Sequence, residues 1–432
     1  MRYALINPIW TFEGSIYFGC RDPHLPLELG YAKQMLEGAG HEVLLLDATL
    51  DHLSQSELCA RVATFGPDMT VIPTAPSYLF WRCPPPELRV PQQLVQALGA
   101  AAGIRILVGP HASTTPRAAL RKVGGDIAVL GECEEVLVQL GSHLSRLQEV
   151  SGIAYLHDEQ WRVQGGPQMV NLASLPALHW PQHFLSAHRH HHHRFDEPQQ
   201  GFGAEIEASR GCPYACSFCA KTDHRDQFRR RPLDTLLEEL DGLISQGVRY
   251  VYFIDEIFLP QRPLLQALKQ RPVQFGIQTR IDLWKPEMLD LLGESGCVSV
   301  EAGVESLSER GRDLLNKHCR LKTVQLQERL IYARRNIPFV QASLLDSQVD
   351  DHAQVEEWRQ TLLAHGVWAN KPVPMFPYPG SPDYIKLWGV PDDLAWERAV
   401  DYYLQMFSEF SDIQEELPRP LEHLELGAAA AS

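Results

Sequence analysis

Three of the nine cysteines stand within eight residues: Cys212-Pro213-Tyr214-Ala215-Cys216-Ser217-Phe218-Cys219. The C-x3-C-x2-C spacing puts three thiolates on one short loop, a soft, negatively charged donor set suited to iron and sulfide. A structural zinc would need a fourth donor to close its tetrahedron, and His224 is the nearby candidate. Position argues against zinc. The loop follows residues 205–208, which read as the first strand of a βα series, with Ser209-Arg210-Gly211 as the turn. Three cysteines there leave one iron of a [4Fe–4S] cluster open to an outside ligand, on the face where βα folds do chemistry.

The other cysteines (Cys20, Cys59, Cys83, Cys133, Cys297 and Cys319) are scattered. No apolar run approaches the roughly 18–20 residues that cross a bilayer, and residues 1–8 read as a strand rather than a signal peptide. The expectation is a cytoplasmic protein in a reducing compartment, without membrane contact and without a disulfide framework. With 39 Lys plus Arg against 54 Asp plus Glu, the chain carries −15. Such a surface repels phosphate backbones, which disfavours nucleic acid and favours a small-molecule substrate.

At 432 residues the chain is long enough for two or three domains, at roughly 100–200 residues each. Over residues 1–140, strands are expected at 3–6, 43–47, 69–72, 104–108 and 127–130. Helices are expected at 27–39, 54–65, 91–102 and 134–147. That alternation predicts an α/β, doubly wound, Rossmann-like domain. Residues 141–204 read as a linker with a short hairpin (152–156 and 161–163) and the run His190–His193, a solvated loop or a metal-binding stretch. A second βα series spans 205–382, with strands at 205–208, 250–254, 274–278, 299–302, 339–344 and near 367–375: a partial (β/α)6 barrel. Residues 383–432 read as a helical cap over the barrel and a frayed tail.

Ser209 to Cys219 resembles the signature of the radical S-adenosylmethionine (radical SAM) superfamily. The resemblance implies that the open iron chelates the amino and carboxylate groups of S-adenosylmethionine. An electron, from an external donor such as a flavodoxin or ferredoxin, then cleaves the sulfonium C–S bond to give a 5′-deoxyadenosyl radical. Phe218 matches the residue whose backbone meets the adenine. Asp255 and Glu256 occupy the place of the motif that holds the methionyl ammonium, a charge-assisted contact. Gln278 and Arg280 resemble the groups that reach the ribose and the methionyl carboxylate. Residues 300–306, with Glu301 and Gly303, resemble the Gly-centred motif near the adenine.

A doubly wound domain ahead of such a barrel resembles the cobalamin-binding class B radical SAM methylases. Pro26 to Tyr31, Gly109-Pro110-His111-Ala112, Gly131-Glu132-Cys133-Glu134 and Phe376 to Pro382 each resemble a segment of that group. The resemblance implies cobalamin contacts from His24, Ser77, Tyr78, Gly109, Pro110, His111, Gly131 and Glu132. It places His111 at the nucleotide tail, His24 at the corrin edge and residues 77–81 against one corrin face. The Asp-x-His-x-x-Gly motif that supplies an axial histidine in cobalamin mutases is absent, which implies no protein histidine on cobalt. The implied reaction is methylation of an unactivated carbon. The alternatives are a cyclisation, ring contraction or rearrangement without net methyl transfer, and a non-enzymatic cobalamin or redox sensor.

Overall fold

The computed structural model describes residues 1–10, 24–77, 84, 88–188 and 201–407. Tyr78, Asp22, the run His190–His193 and the C-terminal tail lie outside the described residues. No helix among those described is long and apolar enough to cross a membrane.

The first sheet holds β1 (Arg2–Asn7), β2 (Glu42–Asp47), β3 (Met69–Pro73), β4 (Ile104–Val108), β5 (Ile127–Val129), β6 (Ile153–His157) and β7 (Gln160–Gln164), in the order β2-β1-β3-β4-β5-β6-β7. β1 to β5 run parallel, and β6 and β7 are antiparallel. The period of two is visible in β1. Tyr3 and Leu5 pack with Leu29 and Leu36 on one face, and Ala4 and Ile6 with Leu58 and Leu94 on the other. The chain order reverses between β1 and β3, so the crevice beyond their C-terminal ends is the expected ligand position.

Six helices cover this sheet: α1 (Leu27–Gly38), α2 (Gln55–Phe65), α3 (Arg89–Leu98), α4 (Pro110–Thr114), α5 (Pro116–Val123) and α6 (Glu134–His143). α2 begins on a capping box between Ser54 and Glu57. α4 and α5 are not among the expected helices, although Pro110 and Pro116 stand at their first turns, a start signal.

The hairpin corrects the expected linker. It forms, through a two-residue turn with Asp158 and Glu159 at φ +48° and +61°, the geometry whose twist matches paired strands. However, its first strand pairs with β5, so it extends the first sheet rather than bridging to the second. Beyond it the chain returns to Gly131, where Gln168 N donates to Leu130 O (2.9 Å) and Glu132 N to Gln168 O (2.9 Å). Gly131 has φ +82°, and a Cβ there would stand inside the Gln168 backbone.

After α7 (Gln182–Ala187), the second sheet is built from β8 (Phe202–Ile206), β9 (Val248–Phe253), β10 (Gln274–Thr279), β11 (Cys297–Glu305), β12 (Phe339–Asp346) and β13 (Trp368–Ala369). All are parallel and adjacent in chain order, with Val373–Pro374 as a further pairing on β12. This is an open, partial barrel. Its helices are α8 (Leu233–Ser245), α9 (Arg262–Leu268), α10 (Pro286–Glu294), α11 (Glu309–Leu314), α12 (Thr323–Asn336) and α13 (His352–Ala364). α14 (Pro382–Trp388) and α15 (Ala395–Phe407) follow. The expected cap over the barrel is corrected in part. α15 docks on the first domain, where Trp396 Nε1 donates to Thr115 Oγ1 (2.6 Å), and Asp393, just before it, pairs with Arg117 and Arg121.

A buried ionic layer joins the two halves. Arg210 pairs with Glu207 (2.9 Å), Glu134 (2.7 Å) and Glu132 (3.4 Å), and Arg225 with Glu207 (2.5 Å) and Glu256 (3.2 Å). Arg229 pairs with Glu132. Carboxylates in this layer outnumber what the arginines neutralise, and some hold protons. Burial pushes the Glu28 carboxyl up to about 7 and that of Asp255 up to about 8, against hydrogen bonds from Ser77 and Ser209 respectively.

Two outcomes follow from this packing. Gly131→Ala should lose about 1–3 kcal/mol of unfolding free energy in urea titration, because a left-handed backbone is strained with a Cβ. The second concerns pH. Folding raises the carboxyl pKa of Glu28 and Asp255, so the native state holds protons that the unfolded chain releases. Stability should fall as pH rises from the ordinary carboxyl range through about 7 to about 8. Glu28→Gln and Asp255→Asn should each flatten that fall in melting-temperature profiles.

Candidate functional site

The C-terminal ends of β8 to β12 surround an open cavity of about 300 Å³. Cys212, Cys216 and Cys219 line it together with Tyr214, Phe218, Lys221, Glu256, Gln278, Arg280, Glu301, Gly303, Glu305 and Lys317.

The loop that carries the cysteines is pinned on every side. Gly211 opens it with φ +79° and donates its N–H to Glu256 Oε2 (2.7 Å). Lys221 Nζ donates to Cys212 O (2.7 Å), Ser217 N to Leu315 O (3.0 Å) and Asn316 Nδ2 to Ala215 O (2.6 Å). Ser217 Oγ donates to Asp383 at the start of α14 (3.1 Å). A hydrogen bond from Cys219 and the charge of Lys317 pull the Cys216 thiol down to about 6 against its burial. A thiol so poised is thiolate near neutrality, the state that binds iron.

The donor set fits a [4Fe–4S] cluster: three thiols on one cavity, with no fourth cysteine or histidine among its lining residues. His224, the candidate fourth zinc ligand, sits elsewhere. It is buried against Ser113 (3.4 Å), and burial pushes its imidazole pKa down to about 3.

The other polar groups of the cavity suit a zwitterionic nucleoside ligand. Arg280 lies over the Tyr214 ring (4.2 Å) and pairs with Asp282 (2.8 Å). Its buried Nη1 has no hydrogen-bond partner among the described residues, so one donor is left for an incoming carboxylate. Gln278 Nε2 donates to Glu301 Oε2 (3.3 Å), presenting an amide and a carboxylate side by side. Lys317 Nζ donates to Glu305 Oε1 (3.0 Å). Glu305, Lys317 and Tyr214 were not singled out in the sequence. Glu305 sits two residues past Gly303 on the same strand, the signal that would have found it.

Asp255 is a correction. It does not line the cavity but accepts from Ala208 N (2.8 Å) and from Ser209 Oγ, bracing the start of the cysteine turn from behind. Neighbouring residues at a strand end point in opposite directions, and only Glu256 faces the cavity.

The expected cobalamin residues are also repositioned. His24 hydrogen-bonds Glu205 in β8 (2.7 Å), and Ser77 Oγ donates to Glu28 (2.7 Å). His111 is fully buried under Trp396, with ring centroids 4.0 Å apart. Pro110 is buried at the first turn of α4. Against the upward push of burial, Arg210 and then Arg229 hold Glu132 down to about 2. Gly109 and Gly131 line a small cavity beyond the strand ends, with Glu28, Glu132, Glu134, Arg210, His224 and Arg225. The described residues mark a place for a ligand at the first sheet. Residues 11–23 and 78–83, which follow β1 and β3, lie outside the described residues.

Two family profiles match the chain: "Radical SAM superfamily" over residues 206–353 and "B12 binding domain" over 21–141. An uncharacterized methyltransferase of Pyrococcus horikoshii is 24% identical over 302 residues, covering 68% of this chain and 63% of that protein. The anaerobic magnesium-protoporphyrin IX monomethyl ester cyclase of Cereibacter sphaeroides is 24% identical over 342 residues, covering 73% of this chain and 52% of the cyclase. The chain thus spans between half and two thirds of the length of these curated relatives. Among solved structures, the radical SAM methyltransferase TsrM of Kitasatospora setae, with cobalamin and a [4Fe–4S] cluster bound, superposes with TM-score 0.69 at 17% identity. It covers 89% of this chain and 74% of that one. The same enzyme with tryptophan substrate and a SAM analogue gives 0.72 at 16% identity, covering 89% and 76%. These likenesses carry the architecture, and the two profiles carry the lineage: the chain belongs to the radical SAM superfamily, among its members with a B12-binding domain.

Proposed function

We propose that the chain is a cobalamin-dependent radical SAM enzyme that methylates a carbon of a small molecule. The observation that carries this reading is the convergence of Cys212, Cys216 and Cys219 with Glu256, Gln278, Arg280 and Glu301 on one cavity. When bound, a [4Fe–4S] cluster with S-adenosylmethionine supplies one-electron cleavage chemistry, and cobalamin supplies a methyl carrier.

The chain's own residues bind and orient. Arg280 offers its open Nη1 to the methionyl carboxylate, held in plane by Tyr214 and Asp282. Glu256 offers a carboxylate to the methionyl ammonium while keeping its hold on Gly211 N. Gln278 and Glu301 present paired acceptors and donors to the ribose hydroxyls, and Phe218 and Gly303 flank the adenine. The strand-end region around Gly109 and Gly131 is the proposed position of cobalamin, on the lineage of residues 21–141. An external flavodoxin or ferredoxin delivers the electron. The cyclase relative supports a second reading, ring formation without net methyl transfer.

Protein reconstituted with iron and sulfide should absorb in the visible and, supplied with a one-electron reductant, cleave S-adenosylmethionine. The triple variant Cys212→Ala, Cys216→Ala, Cys219→Ala should do neither, and a variant that kept both would end the assignment. Label from the S-adenosylmethionine methyl group should enter the product if methylation is right and stay out of it if cyclisation is. Equilibrium binding of S-adenosylmethionine should weaken in Glu256→Ala and Arg280→Ala. Arg280→Lys should not rescue, since the planar fork is lost. Asp255→Asn should spare binding more than Glu256→Ala does, because Asp255 faces away. The isolated holoprotein should bind cobalamin in equilibrium dialysis.

A further inference from the structure

Away from both strand-end cavities, three titratable side chains from three separate segments meet in the interior. His24 stands three residues before α1, His188 directly follows α7, and Glu205 lies within β8. All three are buried, and their candidate ligand atoms lie within 4.8 Å of one another. His24 Nδ1 is 2.7 Å from Glu205 Oε1, and His188 Nε2 is 2.8 Å from both Glu205 oxygens. The rings stand edge to face with centroids 6.1 Å apart, so the two nitrogens approach the carboxylate from different sides. Leu25 N donates to Glu205 Oε2 (3.0 Å), which fixes the carboxylate from behind.

We propose that His24, His188 and Glu205 form a binding site for one divalent transition-metal ion, zinc by preference, that staples the β1–α1 connection and the segment after α7 to the first strand of the barrel. Two imidazoles and a carboxylate are an established donor set for zinc. Zinc–ligand bonds of about 2.0–2.2 Å set tetrahedral ligand atoms about 3.3–3.5 Å apart. Filling the site therefore parts the side chains by roughly half an ångström from their present hydrogen-bonded spacing. The site carries no thiolate, so its chemistry differs from that of the cysteine loop, and it does not depend on the catalytic reading.

The test uses the untagged full chain in two backgrounds: reconstituted with its iron and sulfide, and with Cys212→Ser, Cys216→Ser and Cys219→Ser. The second removes the thiolates, so its zinc count is independent of whether they hold a cluster. In both, His190, His191, His192 and His193 are changed to serine, so that zinc on the polyhistidine run does not count. After zinc loading and gel filtration past a weak chelator, elemental analysis should find about one zinc per chain, held by three protein ligands with water in the fourth position. Glu205→Gln and His188→Gln should fall to background. His188→Gln keeps a side-chain donor toward Glu205 but is a poor metal ligand, so it separates a metal site from a hydrogen-bonded triad even if Glu205→Gln fails to fold. A strong chelator should lower the melting temperature of the parent and leave that of His188→Gln unchanged. A parent that retains no zinc, or zinc retained equally in His188→Gln, overturns the proposal and leaves a triad held by hydrogen bonds alone.

Discussion

The guanidinium of Arg210 is wholly buried, and the relation between the two sheets depends on it. It lies two residues before Cys212, yet its partners Glu132 and Glu134 belong to the loop after β5 and the start of α6, beside the other sheet. Glu207 completes the set from its own side. Breaking one arm of such a buried pair leaves a charge without compensation, a loss of about 3–5 kcal/mol. The Tyr31 ring beneath the guanidinium, 5.3 Å from its centre, fixes the plane in which it can reach all three carboxylates. The start of the cysteine turn is thereby placed by residues nearly eighty positions earlier in the chain.

The turn is then over-determined from within its own half. Arg225 carries the ionic layer from Glu207 to Glu256, and Glu256 accepts from Gly211 N while its side chain lines the strand-end cavity. The same carboxylate belongs to the loop's scaffold and to the cavity wall. The ionic layer is a continuous chain of ion pairs from the cavity of the second sheet to the strand ends of the first. The C-terminal helices add a second connection outside it, with Asp383 on the cysteine loop and Trp396 over His111.

Most of the strands, and the cysteine loop above all, were legible in the sequence, because hydrophobic runs of the right length fall between Gly and Pro punctuation. The hairpin at 153–164 was legible as a hairpin, but its pairing with β5 was not. Two strands and a tight turn are local, whereas the edge they join is chosen by tertiary packing. The phase of a strand end was equally hidden. Asp255 and Glu256 are adjacent carboxylates, and only the point where β9 stops decides which one faces the cavity. Lys317 escaped because it follows a helix rather than a strand, and it is drawn to the cysteines by Glu305.

The Gly-Glu-x-Glu element holds two structural duties in one short stretch. Gly131 and Glu132 were expected among the cobalamin contacts because residues 131–134 resemble that element of the class B radical SAM methylases. In the folded chain the carboxylate of Glu132 is shared by Arg210 and Arg229, and its charge is held by both against burial. Turning it toward a ligand would strand two guanidiniums in the interior, a larger penalty than a single hydrogen bond to a neutral ligand returns. Glu132 and Glu134 line the strand-end cavity together with Gly109 and Gly131, so the element serves the joint between the sheets and the cavity wall at once.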